Sequence, residues 1–221
     1  MNYLSHYIID HTADDPYFNS ALIFPDICKR WIKTFKLPEP SGDFTVHQQS
    51  LYTGCMRHYT RDKQFHSSPF FEKYQQYINE HLKSIPFTGA VERKWFIAHV
   101  LTELLIDRTF VKLNPGFVDA FYTSLAAIDN REVKGFLSHY GMTDTTEFFT
   151  FFDHFRSVKY IYYYADNNKF LYSLSRIMLR VGLKELNEAD AFLMQEAIHT
   201  IETVHMHNGA ALLAELKEVF N

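Results

Sequence analysis

Helix breakers are scarce in this chain. Eight Gly and seven Pro among 221 residues leave few turns and long regular elements, which favours helices. A long helical pattern runs over 44–66 until "SSP" stops it, and a second helix is expected over 69–83. "SIPFTGA" reads as a turn before a helix over 91–113 that "NPG" closes. Further helices are expected over 117–128, 130–140, 145–164, 168–181 and 188–218. Towards the N-terminus, "HTADDP" follows a largely apolar first ten residues as a helix stop. "YFNSALIFPDICKRWIKTF" reads as a helix broken at Pro25, and "KLPEPSGD" as a loop. "KYIYYY" is β-prone by composition, but helix is the preferred reading. With no repeat, low-complexity segment or boundary visible, the expectation is one all-α domain over 1–221.

Composition narrows the function classes. A chain that is 47% hydrophobic and 22% charged is that of a folded soluble protein, and 21 Phe with 14 Tyr imply wide aromatic packing between helices. A formal net charge of −4 with no Lys/Arg block argues against nucleic acid as the main partner. Cys28 and Cys55 show no pairing pattern, no apolar run reaches membrane-spanning length, and "MNYLSHYIID" lacks the form of a signal peptide. The expected location is the cytoplasm.

Two rows of polar residues stand out. His58, Asp62 and His66 recur every fourth residue, as do His99, Glu103 and Asp107. A step of four turns an α-helix by about 400°, so such side chains lie about 40° apart on one face. Imidazole nitrogen and carboxylate oxygen are ligands for borderline and hard divalent ions. Two such helices packed face to face would hold one or two ions in a bundle core. Around His99 the run is apolar on most faces (Phe96, Ile97, Leu101, Leu104, Leu105), so its polar groups need partners. Plainer roles fit the same residues. His58 with Asp62 has the spacing of a surface ion pair, beside Arg57, Arg61 and Lys63, and His99 alone suits a satisfied core histidine. Asp107 beside Arg108 suits a salt bridge, and His66 a helix-end charge. Only the co-occurrence of the rows brings the metal reading level with these.

Four segments, "MNYLSH", "ALIFPDI", "GCMRHYTRDKQFHSSP" and "HVLTELLIDRTF", resemble the acyl carrier protein phosphodiesterase family, which is similar in turn to HD-type metal phosphohydrolases. The family's opening resembles Met-Asn-Phe-Leu-Ala-His, matched here from Met1 to His6, and the aspartate ending its next block falls on Asp26. Of its central motif, Gly54, His58, Asp62 and Pro69 fit, while His66 occupies the place of the second acid. The two acids of its later helix fall on His99 and Glu103, with Arg108 near the following arginine. The likeness is collinear to about residue 110, half the chain, and weaker beyond. "FPDI" and "HVLTELLIDRTF" also look like the zinc-dependent phospholipase C group.

The resemblance implies an HD-like helical bundle with a metal site in its core. The implied activity is phosphodiester hydrolysis, removing 4′-phosphopantetheine from holo-acyl carrier protein in lipid metabolism. Implied ligands are His6, Asp26, His58, Asp62, His99 and Glu103, with His66 and Asp107 ligating or adjoining. Asp62 and Arg108 are the implied catalytic residues, with Arg108 or Arg61 meeting phosphate through its planar fork. Replacing two aspartates by His66 and His99 makes the site richer in nitrogen, which shifts the ion toward zinc or iron and away from magnesium; the implied cofactor is one or two divalent ions, Mn, Fe or Zn. An acidic carrier would need a basic rim, for which Arg57, Arg61, Lys63, Lys73, Arg93 and Lys94 are candidates. The alternatives are a hydrolase of another small phosphoester, such as a nucleotide or lipid headgroup, and a non-catalytic helical binding protein.

His199, His205 and His207 lie near one another in sequence, but a spacing of two does not face one side of a helix, so independent surface histidines are expected. The tyrosines over 160–164 read as core packing. No Ser-His-Asp set, P-loop or dinucleotide fingerprint appears.

Overall fold

The computed structural model describes residues 1–32, 37–40, 42–89 and 91–221. Among them every regular element is helical. In chain order these are α1 (Tyr3–Asp10), α2 (Pro16–Ala21), α3 (Phe24–Cys28), α4 (Val46–His66), α5 (Pro69–Ser84) and α6 (Lys94–Leu113). There follow α7 (Gly116–Ala126), α8 (Asn130–His139), α9 (Thr146–Val158), a 3-10 segment (Tyr160–Ala165), α10 (Asn167–Arg180), α11 (Glu188–His205) and α12 (Gly209–Glu218). The all-α class expected from the scarcity of breakers is observed. No helix of the described residues is long and apolar enough to cross a membrane.

The chain divides into two compact units. The first comprises Met1, Tyr3–Lys63 and Gly116–Tyr160; the second comprises Asn2, Gln64–Pro115 and Ile161–Asn221. In the first unit α1 and α2 pack on α7, and α7 packs on α9. Asp15 caps α2 by accepting from the Phe18 amide at 2.9 Å, with Pro16 in the first turn, where a missing N–H costs nothing. The core is aromatic, as the composition implies: Phe121 meets Phe155 edge-on at 6.2 Å, and Tyr3 meets Phe155 at 5.6 Å. Gly54 sets how close α4 comes to α2. A Cβ there would stand 2.4 Å from the Phe18 carbonyl oxygen and 2.7 Å from the Ala21 Cβ, so only glycine permits the approach.

In the second unit α6 packs against α5, α10 and α12, and α11 lies on α5 and α10. Buried positions run nearly all round α6, including Ile97, Leu101, Leu104, Leu105 and Phe110, in keeping with its apolar sequence. The "SSP" that ends α4 also begins α5. Ser68 accepts from the Phe71 amide at 3.1 Å, and Pro69 occupies the first turn.

Three boundaries depart from expectation. The break expected at Pro25 comes earlier, at Leu22 and Ile23, and Pro25 lies inside the first turn of α3. The last residues of that expected helix, 33–35, lie outside the described residues. The expected helix over 145–164 stops at Val158, because Lys159 turns left-handed (φ 52°) and the tyrosines form a 3-10 segment. The helix over 188–218 is two helices. Asn208 bonds its side chain to the Ala211 amide at 3.0 Å, and this local cap competes successfully with helix continuation.

Candidate metal centres

The ligand rows do not converge as rows. His58 and His66 are separated by two turns of α4, about 12 Å of rise, too far to share an ion held by bonds of about 2 Å. The structure instead gathers two trios, each with one ligand atom per residue and all three atoms within 4.8 Å of one another. They are His6 with Asp26 and His58, and His66 with His99 and Glu103. The first lies wholly in the first unit and the second wholly in the second.

In the first trio α1 supplies His6, α3 supplies Asp26 and α4 supplies His58. Both imidazoles are buried and stack at 4.0 Å with 24° between their planes. The Asp26 side chain is 26% exposed, so the group opens towards solvent through its carboxylate. His58 Nδ1 lies 2.8 Å from the Leu22 carbonyl oxygen, which can only accept, so Nδ1 carries the proton. The Nε2 lone pair is thereby left on the side of Asp26, whose Oδ1 is 3.7 Å away. A carbonyl fixing the tautomer through the remote nitrogen is the usual support of a metal-binding histidine. Burial pushes the His58 pKa down, against the pull of the Asp26 charge, and keeps the ring neutral and able to ligate. Asp62 adjoins this group, with Oδ1 3.9 Å from His6 Nε2 and 2.8 Å from the Met1 amino nitrogen. Two imidazoles and a carboxylate are donor types that suit a borderline divalent ion.

In the second trio His66 closes α4, while His99 and Glu103 lie one turn apart on α6. Both Nε2 atoms address the same oxygen, Glu103 Oε1, at 2.9 Å from His66 and 3.3 Å from His99. Burial pushes the Glu103 carboxyl up, but neighbouring positive charge and the hydrogen bonds from both imidazoles outweigh it. The group is held well below the usual carboxylate range.

Other expected site residues lie elsewhere. Asp107 is fully buried on α6 and belongs to neither trio. Arg108, expected to meet phosphate, is a buried strut of the second unit. It donates to Glu202 at 2.8 Å, to the Tyr164 carbonyl at 2.6 Å and to Asn167, and its guanidinium lies over Phe170. The phosphate role does not suit a fork so occupied. Arg57 and Arg61 both bond Asp10, at 2.8 and 3.1 Å. His205 stacks on Tyr77 at 4.4 Å, whereas His199 and His207 line an open cleft of about 420 Å³ with Lys112 and Glu202.

Two participants escaped the sequence reading. The Leu22 carbonyl is backbone and carries no sequence signal. Lys29, 2.9 Å from Asp26, was legible as a charge pair three residues apart. No family model, no curated protein and no solved structure matches the chain.

Proposed function

We propose that the chain is a metal-dependent phosphodiester hydrolase of HD-like architecture, working through the first trio. One observation carries the reading. His6, Asp26 and His58, the positions that the resemblance to acyl carrier protein phosphodiesterases marks on three separate segments, have ligand atoms within 4.8 Å of one another. The orientation of His58 on the Leu22 carbonyl supports it further.

His6, Asp26 and His58 would hold the ion, which supplies Lewis acidity towards a phosphoryl oxygen and makes water a better nucleophile near neutral pH. Asp62, 32% exposed and beside His6, is the carboxylate positioned to accept the proton of the attacking water. Lys29, 54% exposed and held by Asp26, presents an ammonium to the anionic substrate at the open side of the trio. The proposed substrate is the phosphodiester joining 4′-phosphopantetheine to a carrier-protein serine. Arg57 and Arg61 would meet the acidic carrier, at reduced strength because Asp10 already offsets part of their charge.

The test is hydrolysis of bis(p-nitrophenyl) phosphate and of holo-acyl carrier protein by protein loaded with Mn, Fe or Zn. Asp26→Asn is expected to lower kcat/KM at least about 100-fold on both, since it removes a ligand. Turnover of the generic diester without the carrier reaction would move the substrate to a smaller phosphoester. Absence of turnover with every metal would refute the hydrolase.

A further inference from the structure

We propose that the outer face of the α10–α11 pair is the interface of a homodimer. A two-fold axis along the seam between the helices lays each α10 on the α11 of the other copy. The inference does not depend on the hydrolytic reading.

The two helices are antiparallel neighbours within the second unit. Arg108 bonds both Asn167, at the start of α10, and Glu202, near the end of α11, and Gln195 donates to the Asn168 side chain at 2.9 Å. One turn from that last bond Tyr172 and Phe192 come level with each other, and one turn further Arg176 comes level with Glu188. An α-helix turns about 100° per residue, so Lys169, Tyr172, Arg176 and Arg180 share an arc of about 80° on α10. Glu188, Phe192 and Glu196 share an arc of about 80° on α11 by the same count. All seven residues are exposed.

The aromatic pair is out of keeping with the rest of the chain. Tyr172 is 66% and Phe192 63% exposed, and Phe192 is the one exposed phenylalanine among the described residues. Two open rings at one level of adjoining helices, rimmed by charge, form the pattern of an interface centre with its polar surround.

Charge selects the occupant. α10 carries three cations and no acid, whereas the outward stripe of α11 carries Glu188 and Glu196. Arg176, Arg180, Glu188 and Glu196 make no ion pair among the described residues, although the two helices pack together. An anionic lipid surface or an acidic protein would attract α10 and be repelled by α11. A second copy satisfies both. About the axis along the seam, Arg176 of each copy comes over Glu188 of the other, Lys169 over Glu196, and Tyr172 over Phe192 between them. A two-fold axis across the helices would instead set α10 on α10, cation against cation, so the charge pattern admits only the first arrangement.

The experiment is sedimentation velocity of the full chain from about 1 to 100 µM, at low and at high salt. Wild type is expected to pass from monomer to dimer with rising concentration, and to need more protein at high salt. Arg176→Glu and Glu188→Arg should each raise the dimer dissociation constant at least about tenfold, because symmetry sets like charges opposite one another twice. Combining the two exchanges the charges and should restore the constant to within about threefold of wild type. Phe192→Ser should raise it at least about tenfold by emptying the centre. All three positions are exposed, and thermal unfolding verifies that each variant is folded. A monomer at every concentration would overturn the dimer. A dimer that Phe192→Ser leaves intact would put the contact on another face and overturn this one. A double variant no better than the single ones would overturn the axis along the seam.

Discussion

His58 and Leu22 are bound through ring and backbone: the histidine's Nδ1 donates to the leucine's carbonyl at 2.8 Å, just past the end of α2. That carbonyl is within reach because Gly54, one turn before His58, lets α4 close on α2. Gly54→Ala would force a methyl to 2.4 Å from the Phe18 carbonyl oxygen, and backbone cannot step aside as a flexible side chain can. The expected cost is about 3 kcal/mol, the upper end of overpacking penalties. Because the displaced helix carries His58 off Leu22, metal affinity at the first trio should fall as well. Denaturant unfolding and zinc titration on the same sample check both, and an unchanged midpoint would show that α4 and α2 are not so tightly apposed.

Asp190 holds a turn from within a helix. Its Oδ1 accepts from the Thr88 amide at 2.6 Å and the Thr88 hydroxyl at 3.0 Å, and the side chain is fully buried. Asp190→Ala removes the acceptor from these two donors and from the Asn187 side-chain amide, and is expected to destabilise by about 2–4 kcal/mol. Asp190→Asn, which keeps an oxygen, should cost about half as much. Hydrogen exchange is the sharper readout, because the Thr88 amide should lose its protection in the alanine variant before the helices do.

The helices were legible where spacing and breakers agreed. The pattern over 44–66 became α4 at Val46–His66, and that over 69–83 became α5 at Pro69–Ser84. Legibility failed where a side chain outside the pattern decides the backbone, as at Asn208, or where one residue turns left-handed, as Lys159 does. The site was half legible for a related reason. A four-residue spacing correctly put His99 and Glu103 on one face, but it could not tell that His58 and His66 would find different partners. That depends on which segments fold against α4, and His6 and Asp26 came only from the resemblance. The same spacing marked Asp107 as a ligand, though it belongs to neither trio.

Phe71 orients ligands it does not itself provide. Its ring touches His66 and His99 at 4.8 and 4.9 Å and is buried. Phe71→Leu keeps an apolar filler but loses the aromatic ring that stands perpendicular to both imidazoles. Stability is expected to fall by about 1–2 kcal/mol, and zinc affinity at the second trio by about tenfold as the rings gain rotamers. Isothermal titration against Phe70→Leu, a buried neighbour one position earlier on α5, separates the orienting effect from general loosening. Equal affinities in the two variants would leave Phe71 with packing alone.

Glu202 ties stability to acid. It accepts from Arg108 at 2.8 Å and Lys112 at 2.7 Å. Burial raises its carboxyl pKa, but these two cations more than offset that and hold it below the ordinary glutamate range. A carboxyl with a lower pKa in the folded than in the unfolded chain stabilises fully above the unfolded value, about 4.3. That contribution disappears as pH falls through the folded value, because the unfolded chain takes up the proton first. Wild type should therefore lose unfolding free energy as pH falls below the unfolded value of about 4.3. Glu202→Gln leaves the buried Arg108 without its charge partner and should be less stable at pH 7 by about 3 kcal/mol. Its deficit should shrink steadily on acidification, since protonated Glu202 is no better a partner than glutamine. Urea unfolding of both proteins across that range gives the two curves. Parallel curves would mean that Arg108 is held by the Tyr164 carbonyl and Asn167 alone, with no net contribution from the Glu202 charge.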